Sequence, residues 1–261
     1  MNVFDTSAQD VLLGRVRVIL SHTTKPGNIG AAARAMKTMG LTRLILVRPT
    51  HFPHREAVFM AAGAADMLDT VQVRENLDEA LKGTTLAIAL SARRRDLSPI
   101  TLDVRGAAEQ AVAEAAAGGE VAFVFGTEVS GLSKEEVLRC QRVARIGTSP
   151  AFSSLNLAAA VQVVAHEVRY AAVGGGVYIS ERTPAAMHQE LEGFFAHLES
   201  SLSKTTFLDP GKPRRVLEKA RRLFGRARLE SQEVNILRGM LTAWEEAIDA
   251  RRDGRGETDE T

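Results

Sequence analysis

The stretch Pro26-Gly27-Asn28-Ile29-Gly30-Ala31-Ala32-Ala33-Arg34-Ala35-Met36-Lys37-Thr38-Met39-Gly40 decides how the chain is read. An apolar run, Val16 to Leu20, precedes it, and a second, Arg43 to Val47, follows; both read as buried strands. The stretch itself is rich in Ala and Met and free of β-branched residues between Ile29 and Thr38, so a helix is expected. Asn28 stands where an N-cap belongs and Gly40 where a C-terminal cap belongs. The result is a strand–helix–strand unit with a glycine-containing turn at the helix start. Arg34 is the odd member, a cation among alanines, expected to project near the helix's first turn. It reads either as a side chain snorkelling to solvent or as a functional group.

Outward from this unit the pattern repeats. Strands are predicted at Leu44–Val47, Val71–Val73, Leu86–Leu90, Val121–Phe125 and Val143–Ile146. Helices are predicted at Glu56–Met60, Ala61–Leu68, Leu77–Leu81, Ala107–Ala117, Lys134–Cys140 and Leu155–Ala172. Strands alternating with helices imply an α/β domain with a mostly parallel sheet covered on both sides. Ligands in such sheets bind beyond the carboxyl ends of the strands. Those ends carry Ser21-His22-Thr23, Ser91-Ala92-Arg93, Gly126-Thr127-Glu128 and Gly147-Thr148.

After residue 173 the character changes. Residues 174–184, with three consecutive glycines, read as a linker. Residues 185–250 read as a small all-α appendage of three helices, and 251–261 as a disordered charged tail. Between Lys212 and Arg228 eight basic residues face a single acidic one, Glu218. Arg215, Lys219 and Arg222 fall on one face of the predicted helix.

Composition excludes several classes. The 261 residues are 45% hydrophobic and 25% charged, as in ordinary globular proteins, and the net charge of +1 means that any basic surface is local. A lone Cys140 forbids an intramolecular disulfide. No apolar run is long enough for a membrane span, and the first ten residues lack a signal-peptide core, so a cytoplasmic protein without membrane attachment is expected. His51 and His54 lack a third partner nearby, so no metal is expected. No G-x-G-x-x-G, Walker loop or G-x-S-x-G elbow is present.

Three further constellations stand out. Val124 to Leu132 is a strand running into a loop with Gly126, Gly131 and the carboxylate Glu128, which could hold a partner cation. Phe152-Ser153-Ser154-Leu155-Asn156 opens the long helix; its side chains either cap that helix or offer hydroxyls to a ligand. Asn156 would be costly inside an apolar helix unless its amide is satisfied. Arg93-Arg94-Arg95 follows a strand and could bind an anion.

Together, Asn28-x₅-Arg34, Phe125-Gly126-x-Glu128-x-x-Gly131-Leu132 and Ser154-Leu155-Asn156-x-Ala158 resemble the three motifs of the SPOUT methyltransferases, TrmH-like branch. The resemblance is closest to the group that methylates the ribose 2′-hydroxyl of the cytidine or uridine at position 32 of the tRNA anticodon loop. It spans residues 15–243 and includes Glu233-Val234-Asn235-Ile236-Leu237-Arg238-Gly239. It implies a C-terminal trefoil knot in the sheet domain, a homodimer, tRNA as partner and S-adenosyl-L-methionine as cofactor. The cofactor is expected on Leu90, Ser91, Ala92, Gly126, Ile146, Ser153, Ser154 and Leu155. The catalytic set implied is Arg34, Arg95, Asn28, Ser154, Asn156 and Glu128. Arg34 is either the base or the group that pins a phosphate; Arg95 positions RNA phosphate; Ser154 and Asn156 hold ribose or cofactor; Glu128 holds its loop or an Arg across the dimer. Thr127 departs from the usual Arg, and Leu90 from a common Thr. A ribosomal-RNA 2′-O-methyltransferase and a non-catalytic RNA-binding protein with a decayed site are the alternatives.

Overall fold

The computed structural model describes residues 6–93, 99–173, 184–205, 207–208 and 213–256. The chain opens with α1 (Thr6–Gly14), which the sequence did not announce, and runs into β1 (Val16–Ser21). Helix α2 (Pro26–Thr38) and β2 (Arg43–Val47) complete the first unit. Next come α3 (Arg55–Ala61), a 3₁₀ turn (Ala62–Ala64), α4 (Asp66–Asp69), β3 (Gln72–Arg74), α5 (Leu77–Leu81) and β4 (Leu86–Leu90). An unforeseen strand, β5 (Ile100–Asp103), leads to α6 (Val104–Ala116), β6 (Val121–Phe125), α7 (Lys134–Leu138), β7 (Arg142–Arg145) and α8 (Leu157–Val173). Three helices follow: α9 (His188–Ser203), α10 (Pro213–Ala227) and α11 (Ser231–Gly256). Helix α11 continues through residue 256, so the tail expected from 251 is helical over 251–256. The predicted linker, apart from Pro184, lies outside the described residues, as do 257–261.

The seven strands form one sheet in the order β3-β2-β1-β6-β4-β7-β5, and every pairing is parallel. Successive residues of the central strands bury on opposite faces. Val16, Val18 and Leu20 of β1 and Val121, Phe123 and Phe125 of β6 meet α2, α6 and α8. Ile19, Ala122 and Val124 meet α5 and α7. That two-sided burial explains why the strands read as unbroken apolar runs.

Two close approaches fix α2. A Cβ on Gly30 would fall 1.9 Å from the Ala57 carbonyl oxygen, so α2 and α3 meet backbone to backbone. At its far end Gly40 adopts φ 79°, and its N–H and that of Leu41 donate to the carbonyls of Lys37 and Met36. Gly40 ends the helix as the sequence predicted, and the closure is of Schellman type. The N-terminal prediction fails. Lys25 is the N-cap and Pro26 the first helical residue, which leaves Asn28 one turn inside.

The appendage has its own core of Leu191, Phe194, Phe195, Val234 and Leu241, with Phe224 edge-on to Phe194 at 4.8 Å. It docks on the sheet domain through charge. Arg228 donates to the buried carboxylate of Glu114 (3.1 Å from Nε). Glu192 receives a fork from Arg221 (2.6 and 2.8 Å) and pairs with Arg139 as well. Lys134 reaches Glu218 of α10 (2.7 Å).

Candidate functional site

The carboxyl ends of β4, β6 and β7 and the start of α8 surround one cavity of about 330 Å³. Its lining includes all eight residues expected to touch the cofactor: Leu90, Ser91, Ala92, Gly126, Ile146, Ser153, Ser154 and Leu155. Phe125, Leu132, Ala144 and Leu157 add apolar wall, and Thr127 and Thr148 add hydroxyls. Arg93 is the one cation and Glu128 the one anion among the described lining residues. An apolar slot with a few hydroxyls and backbone groups suits a small, partly aromatic ligand.

Gly126 serves packing more than ligand approach. A Cβ there would sit 2.1 Å from the Gly131 carbonyl carbon and 2.2 Å from the Leu132 nitrogen. The loop after β6 therefore folds back onto its own start, where only glycine fits. Thr127 has a local role: its hydroxyl bonds that of Ser130 (2.8 Å) and accepts from the Ser130 N–H (3.1 Å). Gly131, at φ 67°, closes the turn by donating to the Thr127 carbonyl (3.0 Å).

Beside the cavity, Glu128 anchors a brace. Its carboxylate accepts from the N–H groups of Thr24 (3.0 Å) and Lys25 (3.1 Å), the Thr24 hydroxyl (2.9 Å) and Asn28 Nδ2 (2.9 Å). Asn28 Oδ1 in turn accepts from Asn156 Nδ2 (3.0 Å). Asn156 Oδ1 accepts from the N–H groups of Ala158 (2.9 Å) and Ala159 (3.4 Å). Asn156 thus precedes α8 and caps it, rather than lying inside it as expected. Both the oxygen and the nitrogen of its amide are engaged, as are those of Asn28. Burial raises the Glu128 pKa, but the hydrogen bonds from Asn28, Thr24 and Lys25 outweigh it and hold the carboxyl below its ordinary value. Within the chain, Glu128 pairs with no cation among the described residues; neutral donors from Thr24, Lys25 and Asn28 tie it to the start of α2.

The other expected residues separate. Ser154 lines the cavity and is exposed, and its hydroxyl has no hydrogen bond among the described residues. Arg34 is exposed on the third turn of α2, not the first, and lies outside the cavity lining. Its guanidinium forms no ion pair among the described residues. Arg95, with Arg94, lies outside the described residues. Cys140 is buried, and burial pushes its thiol pKa well up, as a packing role requires. Sequence reasoning missed Thr24 and Lys25; the one signal was a carboxylate in a glycine loop with no cation near it in the sequence. Among the described residues no cluster of three His, Cys, Asp or Glu side chains is arranged for a metal, and no helix is long and apolar enough to cross a membrane.

Comparison with known proteins agrees with this geometry. Residues 15–166 match the model of the SpoU rRNA Methylase family, and residues 189–253 match that of the tRNA methyltransferase TrmJ C-terminal domain. The tRNA (cytidine/uridine/adenosine-2′-O-)-methyltransferase TrmJ of Pseudomonas aeruginosa strain UCBPP-PA14 is 47% identical over 241 residues, covering 88% of this chain and 94% of that one. The tRNA (cytidine/uridine-2′-O-)-methyltransferase TrmJ of Salmonella typhimurium strain LT2 is 46% identical over 239 residues, covering 90% and 98%. The crystal structure of TrmJ from Z. mobilis ZM4 superposes with a TM-score of 0.78 at 31% identity, over 88% of this chain and 98% of that one. The architecture is that of the SPOUT methyltransferases, with a helical C-terminal region.

Proposed function

The chain belongs to the SpoU rRNA Methylase family, and from that membership we infer that it is an S-adenosylmethionine-dependent tRNA ribose 2′-O-methyltransferase. The observation that carries the reading is the cavity at the strand ends, lined by every residue that the motifs assign to the cofactor. We place the target at the cytidine or uridine of anticodon-loop position 32, on the motif resemblance. The match of residues 189–253 to a tRNA-methyltransferase domain favours tRNA over ribosomal RNA.

When bound, S-adenosylmethionine supplies a methyl group on a sulfonium centre, open to displacement by a ribose oxygen. The residues of this chain do the positioning. Leu90, Phe125, Ile146 and Leu155 exclude water, which strengthens every polar contact inside. Glu128, through Asn28 and Asn156, ties the loop after β6 to the starts of α2 and α8, so the walls hold one spacing. Ser154 offers a free hydroxyl to the incoming ribose. A guanidinium holds its proton too tightly to serve as a base, so Arg34 acts by pinning phosphate and making the attacking 2′-hydroxyl easier to deprotonate.

Arg34 stands outside the cavity lining of its own chain. This supports the homodimer, in which a second copy packed along α2 brings an arginine to the site. The knot, a cytoplasmic location and a role for Arg95 on phosphate belong to the same reading. Arg215, Lys219, Arg222 and Arg226 are all exposed on one face of α10 and form no ion pair among the described residues. They add tRNA-backbone contacts away from the cavity. The test is transfer of labelled methyl to tRNA, with the modified ribose mapped in tRNA from a strain lacking the protein. Unchanged 2′-O-methylation in that strain, with no transfer in vitro, refutes the assignment.

A further inference from the structure

Two apolar side chains are held out into water beside the cavity, and the folding of the chain does not require either to be there. Phe152 is 78% exposed and Val129 is 88% exposed. Each sits on a built turn, not a loose loop. Phe152 ends a β-turn, Ser149-Pro150-Ala151-Phe152, closed by its own N–H donating to the Ser149 carbonyl (3.1 Å). Pro150 presets that turn, and Ser149 Oγ accepts from the Ala151 N–H (3.3 Å). Val129 tips the turn that Thr127, Ser130 and Gly131 close. Val129 lines the cavity, and Phe152 immediately precedes the lining residue Ser153.

We propose that Phe152 is a stacking platform for the base of the nucleotide being methylated, with Val129, in the cavity lining, as a second apolar contact. The inference rests on the ribose-methylation reading above and adds how the nucleotide is held. A 2′-hydroxyl reaches a strand-end cavity only if its nucleotide leaves the helical stack, and its base then loses the neighbours it stacked on. An aromatic face replaces them without reading sequence, because every base has a π-face. Rigid turns suit this role, since a platform fixed before binding loses little freedom on binding. Phe152 is a positioning residue here; it touches the base and not the reacting atoms.

The experiment compares two substrates with the full-length protein: a tRNA carrying cytidine at the target, and the same tRNA with an abasic ribose there that keeps its 2′-hydroxyl. Phe152→Ala should lower kcat/KM on the cytidine substrate by about 5- to 150-fold, the range for loss of one base–aromatic stack. It should leave the abasic substrate unchanged. Phe152→Tyr should restore the activity, and cofactor binding by calorimetry should be equal in all forms. An equal loss on both substrates means a structural role and overturns the proposal. So does an unchanged Phe152→Ala, or a changed oligomeric mass, which would place Phe152 between copies of the chain. An inactive wild type refutes the ribose-methylation reading itself; an active wild type with an indifferent Phe152→Ala refutes only the platform.

Discussion

The cavity and the joint between sheet domain and appendage solve the same problem in opposite ways. At the cavity, Glu128 is satisfied by neutral donors, two backbone N–H groups, a hydroxyl and an amide. At the joint, Glu114 is met by Arg228, Glu192 by Arg139 and Glu218 by Lys134. The first arrangement leaves a full negative charge in place; the second cancels it. A charge kept beside the site can act on a cationic ligand, whereas cancelled charge holds two units together without repelling phosphate. Hydrogen-bond partners, more than residue types, thus separate a working carboxylate from a structural one.

The comparison can be broken most forcefully at the joint. Arg228→Ala strands the nearly buried Glu114 and should destabilise the protein by about 3 kcal/mol, the low end for breaking a buried pair because the guanidinium is partly solvated. Denaturant unfolding measures this, with cofactor affinity of the folded protein unchanged. A stability within a few tenths of a kcal/mol of wild type would show that the pair is idle. Arg34→Ala should lower methyl transfer by about 10²- to 10³-fold at equal cofactor affinity, as removal of a group that stabilises the transition state does. Turnover near that of wild type would remove Arg34 from the mechanism.

Glu128→Gln sharpens the contrast through pH. The folded-state pKa of Glu128 lies below its unfolded value, so its charge contributes stability above the unfolded pKa of about 4.3, lost as pH falls through the folded pKa. Wild type should exceed the variant by about 1–3 kcal/mol near neutral pH, the scale of one stranded buried donor or acceptor. The gap should close on acidification below the ordinary carboxylate range; a gap independent of pH would mean that charge is not what the brace uses. The smallest effect is expected on α10. Replacing Arg215, Lys219, Arg222 and Arg226 with Gln should weaken tRNA binding modestly and flatten its salt dependence. The slope should fall by slightly less than one log–log unit for each phosphate no longer neutralised. An unchanged slope would end the case for that face.

The sheet domain was largely legible because its strands are buried on both faces and its helices end in clear signals. Helix α5 and strands β4 and β6 fall where the apolar runs place them. The misses have separate causes. Strand β5 lies at the sheet edge with Ile100, Thr101 and Asp103 exposed, so neither alternation nor a continuous apolar run marks it. Asn28 read as a cap from its residue type, although Pro26 was the stronger start signal. In the site, the cavity walls could be assigned from motifs, since each wall is a short contiguous stretch. The brace could not. Its members are 100 and 128 residues apart along the chain, and amide-to-amide pairing leaves no local trace. The basic run of α10 divides into exposed and engaged members. Arg221 lies over the Phe195 ring (4.3 Å) and on Glu192, inside the appendage, and Arg228 holds Glu114 across the joint, so both are engaged in structure. The side chains of Lys212 and Arg214 lie outside the described residues.

The brace also has a direction. A carboxylate can only accept, so Glu128 obliges Asn28 to turn its NH₂ toward it and its oxygen away. That oxygen obliges Asn156 to present its own NH₂, which leaves the Asn156 oxygen for the N–H groups that open α8. One ionised group therefore dictates the orientation of two neutral amides and, through them, which end of a dipole meets the helix that begins at Leu157. Asp in place of either Asn would nearly preserve shape yet reverse this grammar, because an acceptor would then face an acceptor. The conservative-looking exchange is the one the site can least absorb, and the larger Gln at either position, which keeps both a donor and an acceptor, respects its logic better.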